Sequence, residues 1–265
     1  MLEIPKKREH ISFYEDKHLY INEQTKERYT SGTSFVGLFH EKFIAEDVAC
    51  KLITTNPKYA EKYKGYSLVD AIRMLTAEWK EAGAMGTRVH NLLERHLLGQ
   101  QIITDDLPPA YKVRYQSLID AYERLDLRGD YPEEDGWVFE PEYIVFSDEF
   151  KLAGQSDLII FNHNEKKIVV KDYKTNKKGI DRNSYKDKRM FEPVYHLQDC
   201  KMNHYSLQLS LYAYFLEKEL GYTCTDLELL WVDTNDKRAI NIERILANYL
   251  KEEIERMLEH FASDK

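Results

Sequence analysis

Two apolar runs separated by a short polar stretch constrain this chain more than any other feature. Gly154-Gln155-Ser156-Asp157-Leu158-Ile159-Ile160-Phe161 leads into Asn162-His163-Asn164-Glu165, and Lys167-Ile168-Val169-Val170-Lys171-Asp172-Tyr173-Lys174-Thr175 follows. β-Branched and aromatic runs joined by a short polar connection predict a β-hairpin. Asp157 falls near the start of the first strand and Asp172 near the end of the second. Antiparallel pairing then brings both carboxylates to the same end of the sheet, and Lys174, two residues on, shares the face of Asp172. Two carboxylates and an ammonium form a place to hold a hard divalent cation and a water. Such a cation neutralises phosphate charge and activates water, and a lysine can orient that water, so the pattern points to phosphodiester hydrolysis. Asp-x-Lys alone is common and can be mere solvated strand-end charge. Gly-x-x-Asp, an apolar strand, a turn, a second apolar strand and then Asp-x-Lys is far more specific.

The chain has 265 residues, 43% hydrophobic and 32% charged, which suits a globular enzyme with a sizeable core. No apolar run is long enough to span a bilayer. Met1-Leu2-Glu3-Ile4-Pro5-Lys6-Lys7-Arg8 lacks the apolar segment of a secretory leader, so an intracellular, cytoplasmic setting is expected. The three cysteines, Cys50, Cys200 and Cys224, lack CxxC spacing; they fit a reducing compartment and argue against a zinc or iron–sulfur site. The net charge of −8 is unusual for a nucleic-acid enzyme, but the region after Asp172 is locally basic.

In chain order, residues 10–21 predict a small hairpin turning at 15–17. Thr33 or Ser34 would cap a helix over 35–39, and a second helix covers 44–54. Ser67 heads an interrupted helical stretch over 67–98, which Gly99 closes. Val89, Leu92, Leu93, His96 and Leu97 recur at helical spacing there, and His90 and Glu94 share a face. Pro108-Pro109 opens a helix to about 125. Residues 137–146 alternate as a strand carrying Glu142. Residues 203–220 are helical, 226–232 a strand, and 240–261 a C-terminal amphipathic helix. The expected organisation is one domain over 1–265: an N-terminal hairpin and helical elaboration over 1–66 and a core over 67–265.

These residues also carry a family pattern. Gly86-Thr87-Arg88-Val89-His90 matches Gly-Thr-x-x-His, Gly154-Gln155-Ser156-Asp157 matches Gly-x-x-Asp, Asp172-Tyr173-Lys174-Thr175 matches Asp-(Trp/Tyr)-Lys-Thr, and Gln208-Leu209-Ser210-Leu211-Tyr212 matches Gln-x-x-x-Tyr. In this order, over 83–232, the chain resembles the PD-(D/E)XK nuclease superfamily in its RecB-like and phage-exonuclease branch. The Asp-Tyr-Lys-Thr form is also similar to mitochondrial genome maintenance exonucleases. The resemblance implies an α/β fold: a restriction-endonuclease-like αβββαβ core, with a mixed central sheet flanked by helices.

It further implies that Asp157, Asp172 and the Tyr173 carbonyl bind Mg²⁺ or Mn²⁺, with His90 as an additional ligand, and that Lys174 positions the attacking water. An imidazole ligand favours tolerance of Mn²⁺. Glu142 would join the site, or be a solvated strand residue. Gln208, Tyr212 and Thr175 would contact DNA, or, for Gln208 and Tyr212, brace the strands. The basic stretch with Lys177, Lys178, Lys188 and Arg189 would meet phosphates, and Tyr185, Phe191 and Tyr195 would stack on unpaired bases. A cluster-bearing relative needs four cysteines around the core, so no iron–sulfur cluster is expected, and no Walker motif is present. The expected activity is a metal-dependent deoxyribonuclease, an exonuclease on single-stranded or end-containing DNA in recombination, repair or replication, with partner proteins of those processes and a bacterial or phage origin. The alternatives are a structure-specific or restriction-type endonuclease, and a non-catalytic nucleic-acid-binding protein on the same fold.

Overall fold

The computed structural model of the chain describes residues 6–100, 109–233 and 240–263. Four short strands, β1 (Lys6–Arg8), β2 (Ile11–Tyr14), β3 (Leu19–Asn22) and β4 (Arg28–Ser31), form an antiparallel meander. The expected turn at 15–17 is a 3₁₀ turn closed by His18 at φ 50°. Ile11, Phe13, Tyr20 and Tyr29 alternate along these strands and pack with Ile144 and Ala153. Helix α1 (Gly32–Val36) follows. Its cap is Ser31, whose hydroxyl accepts the Ser34 N–H at 3.1 Å, two or three residues earlier than the expected Thr33 or Ser34.

The chain divides into two compact units, Lys42–Leu92 and the remainder, Met1–Glu41 with Leu93–Lys265. In the smaller unit α2 (Ala45–Thr55), α3 (Pro57–Lys62) and the long α4 (Leu68–Leu97) gather Ala49, Ile53, Tyr63, Ala71 and Leu75 into a core. Asn56 caps α3 ahead of Pro57. At the head of α4 the Ser67 hydroxyl accepts the Asp70 N–H at 3.1 Å and donates to the Asp70 carboxylate at 2.7 Å, a reciprocal cap. The expected interruption of this helix is absent: α4 runs unbroken through Gly83 and Gly86, and its residues from Leu93 on belong to the larger unit. Gly99, at φ 64°, ends it, with the Gln100 N–H on the Arg95 carbonyl at 2.9 Å.

The larger unit continues with α5 (Pro109–Glu123), α6 (Leu127–Asp130), β5 (Trp137–Ser147), β6 (Leu152–Asn162), β7 (Lys167–Lys174), α7 (Lys201–Leu220), β8 (Thr223–Asp233), β9 (Asn241–Leu246) and α8 (Lys251–Ser263). The strands lie in the order β1-β2-β3-β4-β6-β7-β8-β9, with β5 along the remaining edge of β6. The β5–β6–β7 pairings are antiparallel, β7–β8 is parallel and β8–β9 antiparallel. A parallel step needs a crossover, and α7 supplies it. The result is the mixed central sheet flanked by helices that the motif order implied. Ile159, Phe161, Ile168 and Val170 pack in one cluster with Leu209, Tyr212, Ala213 and Leu216 of α7 and Ile254 and Met257 of α8. Tyr173, at an alternate position on β7, instead meets Tyr122 of α5, their hydroxyls 3.0 Å apart.

One expected element is replaced. Residues 240–261 were expected as a single helix, but Asn241–Leu246 forms β9 and only Lys251–Ser263 is helical. The long strand β8 offers an edge to pair, and Arg244 on β9 completes an ion-pair network that a helix would not place there. Two expectations touch residues outside the described ones: the N-terminal reading over 1–8, for residues 1–5, and the helix start at Pro108. No helix among the described residues is long and apolar enough to cross a membrane.

The network fixes β7 between its neighbours. Lys171, fully buried, is ion-paired with Glu228, its register partner on β8. Arg244 donates to the Glu228 carboxylate at 2.8 and 3.2 Å and pairs with Asp130. Burial raises the Glu228 carboxyl, but the hydrogen bonds from Arg244 and Lys171 outweigh it and hold the group below its ordinary value of 4.5. A depressed folded-state pKa gives stability that is complete above the unfolded value and lost as pH falls through the folded one. Unfolding free energy should therefore decline as pH drops from about 5 to about 3, and Glu228→Gln should remove that part of the decline. Glu228→Ala should cost about 3–5 kcal/mol at neutral pH, because it leaves the Lys171 ammonium buried without its carboxylate. Urea titrations at the two pH values check both outcomes.

Candidate active site

The site begins where β6 and β7 stop pairing. Their ladder runs from Asn162↔Lys167 to Leu158↔Lys171. Beyond it β7 keeps β8 as a partner out to Lys174, while the near end of β6 takes β4 instead, at Leu152 and Ala153. One further step of the register sets Asp157 opposite Asp172. On the other edge of β6, the pairs Pro141↔Leu158 and Tyr143↔Ser156 set Glu142 opposite Asp157. Asp157 and Asp172 share a face with Lys174, two residues beyond Asp172, and the charges of Asp157 and Glu142 both reach Tyr173, so the three carboxylates form a row across β5, β6 and β7. Asp172 lies near the end of β7, as expected, and Lys174 is its last residue, whereas Asp157 lies mid-strand at the fork, because β6 reaches back to Leu152.

Local contacts hold each member. Where the ladder ends, the Tyr173 N–H donates to Asp157 Oδ2 at 2.6 Å. Asp172 is 4% exposed and ion-paired with Lys174. The Lys174 ammonium also lies 4.5 Å from the centre of the Tyr205 ring. Burial pulls the Lys174 pKa down, but the charges of Asp172 and Asp157 outweigh it and hold the group above the ordinary lysine value. Lys174 is thus a fixed ammonium, suited to act as a charge and a donor and not as a base. Glu142 sits at φ 52°, a left-handed backbone that costs a non-glycine residue about 1–3 kcal/mol. The Gln155 side chain donates to the Glu142 carbonyl at 3.0 Å and holds it there.

Glu142, Asp157, Asp172 and Lys174 sum to two negative formal charges. Their acceptors are carboxylate oxygens, the donor set that Mg²⁺ and Mn²⁺ take. The residues present therefore fit a hard divalent cation, the cofactor class that the motifs imply.

The helix α7 roofs this row. Tyr212, 2% exposed, lies directly over Gly154: a Cβ there would sit 2.4 Å from a ring carbon, and one at Gly32 would sit 3.0 Å from the same atom. Burial raises the Tyr212 phenol well above its ordinary value, and the half-buried Gln208 donates to its oxygen at 3.3 Å. Tyr212 is thus packed as a brace for the Gly-x-x-Asp strand. Tyr20 of β3 is buried in the meander cluster; that burial, with the nearby Tyr212 and the charge of Glu142, raises its phenol above the ordinary value.

The remaining expected residues fall as follows. His90 is half-buried on α4, within the Lys42–Leu92 unit. Thr175 is half-buried, and Lys177 and Lys178 are exposed. Lys188 pairs with Glu41 and Asp199, and Arg189 with Asp187 at 3.1 Å. Tyr185, Phe191 and Tyr195 are 77%, 49% and 59% exposed on the segment between β7 and α7. That segment is anchored by the fully buried Met190 and Val194 and by the Phe191 N–H on the Phe39 carbonyl at 2.7 Å. Two participants were missed from sequence. Tyr205 shares a helical face with Gln208 and Tyr212, three and seven residues on, and that spacing could have found it. Gln155 carries no periodic signal, since its role depends on the bent backbone of β5.

A family model described as the PD-(D/E)XK nuclease superfamily matches residues 59–264, which include the whole row. No curated protein matches significantly. Among solved structures, the chain is similar to the crystal structure of a candidate exonuclease from Eubacterium rectale, at 13% identity over 89% of this chain and 79% of that one, with a TM-score of 0.44.

The contact of Gly154 with Tyr212 is directly testable. Gly154→Ala should destabilise the protein by about 1–3 kcal/mol in urea unfolding, as overpacking does. Adding Tyr212→Leu should recover part of the loss, and additive losses would remove the contact as the cause.

Proposed function

The chain belongs to the PD-(D/E)XK nuclease superfamily, and on that premise we propose that it is a metal-dependent deoxyribonuclease acting as an exonuclease on single-stranded or end-containing DNA. The observation that carries this reading is the row Glu142–Asp157–Asp172 with a fixed Lys174 ammonium at the strand fork. Asp157 and Asp172, with the Tyr173 carbonyl and Glu142, would hold Mg²⁺ or Mn²⁺. When bound, such an ion supplies charge neutralisation at the phosphate and an acidified water.

The protein's own groups supply the rest. Lys174, held by Asp172 and the Tyr205 ring, donates to the attacking water or to the phosphate oxygen on which charge builds. The Tyr173 N–H fixes the rotamer of Asp157. The exposed Tyr185, Phe191 and Tyr195 would stack on unpaired bases beside the row, which favours single strands and frayed ends over intact duplex. Lys177 and Lys178 would meet the phosphates.

End-labelled linear single- and double-stranded DNA and closed circles, each with Mg²⁺, Mn²⁺ or EDTA, test the reading. Linear DNA should be degraded and circles spared, with all cleavage lost in EDTA; nicked circles would instead indicate an endonuclease. Asp172→Ala and Lys174→Ala should each lower cleavage by about 10²–10³-fold, and full activity in either would remove the assigned site.

Neutralising Lys177 and Lys178 should weaken DNA binding and lower the log–log salt slope by about 1–2, one per phosphate contact. Neutralising Lys188 and Arg189 should move the slope less, because both are already paired internally. Equal slopes in all variants would exclude this segment from the binding surface.

A further inference from the structure

Three side chains outside the row converge near the start of α7. His40 follows the short turn after α1, Asp199 closes the segment leading from β7, and His204 lies in the first turn of α7. The two imidazoles are stacked, with ring centres 4.0 Å apart and planes at 14°. His204 Nε2 is 2.8 Å from Asp199 Oδ1. One ligand atom from each of the three lies within 4.8 Å of the others, and all three residues are half-buried.

One further contact prepares His40 as a ligand, while His204 Nε2, which donates to the Asp199 carboxylate, would give up that proton on binding an ion. His40 Nδ1 lies 3.0 Å from the Glu41 carbonyl oxygen. A carbonyl can only accept, so that nitrogen carries the proton and Nε2 keeps its lone pair, the arrangement second contacts impose on metal-binding histidines. Burial is the main cause that lowers the pKa of both imidazoles, His204 to about 4. The Lys188 ammonium holds the other carboxylate oxygen, Oδ2 of Asp199, at 3.3 Å and pairs with Glu41 as well, so it would have to stay on that oxygen when an ion binds Oδ1.

We propose that His40, Asp199 and His204 form a second metal site, for a first-row transition ion of the zinc class, built from residues other than those of the catalytic row. Two imidazoles and one carboxylate suit zinc better than Mg²⁺, which prefers oxygen alone. None of the three cysteines takes part. An imidazole lone pair lies in its ring plane, so to share one ion the two stacked rings must turn out of parallel, and the Asp199 oxygen and His204 nitrogen must separate by about 0.5 Å for bonds of about 2.0–2.1 Å. Three protein ligands leave a position for water. The ion would tie the end of the aromatic-bearing segment to α7 and to the residue after α1. Tyr205, whose ring meets the Lys174 ammonium, directly follows His204, so the same ion would steady that ring.

The test uses the full-length chain carrying Asp157→Ala and Asp172→Ala, so that the catalytic row contributes no ligands and the outcome is independent of the nuclease reading. After chelator treatment, equilibrium dialysis against Zn²⁺ should give one ion per chain, and Co²⁺ in its place should give visible absorption of a low-coordinate, imidazole-bound ion. Adding His40→Gln or His204→Ala should weaken binding by more than about tenfold and abolish the cobalt spectrum. Zn²⁺ should raise the thermal midpoint of the parent and not of these variants. Circular dichroism establishes that each variant is folded; should His204→Ala fail to fold, the cobalt spectrum of His40→Gln decides. The proposal is overturned if the parent binds no stoichiometric ion, or if His40→Gln binds it equally, since the ion would then sit on other surface histidines.

Discussion

The parting of β6 from β7 is the constraint on which the rest of the site depends. A paired antiparallel ladder would press Asp157 and Asp172 together as opposed like charges, which destabilises a sheet. Ending the ladder at Leu158↔Lys171 opens that position, and the fork must then satisfy the groups it frees. The Tyr173 N–H goes to the Asp157 carboxylate, Asp172 pairs with Lys174, and β8 takes over β7 on its far edge. Strand β4 occupies the edge of β6 beyond the fork through two residues, Leu152 and Ala153. The meander β1–β4 is therefore part of the frame that keeps the fork open, and Tyr20 brings it against the backbone of Gln155.

Strand β7 carries charge on both faces, and each face neutralises it differently. Lys171 is closed within Glu228, Arg244 and Asp130, a network of fixed partners with an aromatic wall, since its ammonium lies 5.0 Å from the Tyr131 ring centre. Asp172 and Lys174 point the other way into a row whose summed charge is negative. The first network is complete in protein groups and serves packing. The second is incomplete in charge by an amount that a divalent cation supplies. This difference, and not burial, separates the structural ion pair from the functional one, for Lys171 is the more buried of the two lysines.

Much of this was legible in sequence because it rests on short-range rules. Alternation located β5, the two apolar runs located β6 and β7, Gly99 marked the end of α4, and Ser67 announced its start. The motif residues, too, could be placed on their elements from periodicity alone. What sequence could not show depends on partners distant in the chain. Residues 240–246 read as helix until the open edge of β8 is present to pair with them. Gly154 reads as a strand glycine until Tyr212, 58 positions later, is laid over it. Gln155 and the bent backbone at Glu142 are a tertiary arrangement with no periodic trace. The basic segment reads as a run of free cations, yet Lys188 and Arg189 are already paired with acids, one of them 147 residues away in sequence.

That last point bears on how a chain with net charge −8 can hold a polyanion. Long-range attraction is weak when the net charge is unfavourable and two of the basic residues nearest the row are internally neutralised. Capture must then depend on short-range terms. Stacking on Tyr185, Phe191 and Tyr195 is insensitive to the protein's net charge and is open to unpaired bases, whereas paired bases are already stacked. A cation in the row would add local positive charge where a phosphate must sit. Both terms act only over contact distances: strands β5 to β7 carry the row, and the segment between Lys174 and α7 carries the aromatics. The segment that carries the aromatics is ordered by buried Met190 and Val194 and by Asp199 beside His204, and on the proposed reading that order would serve substrate capture as well as packing.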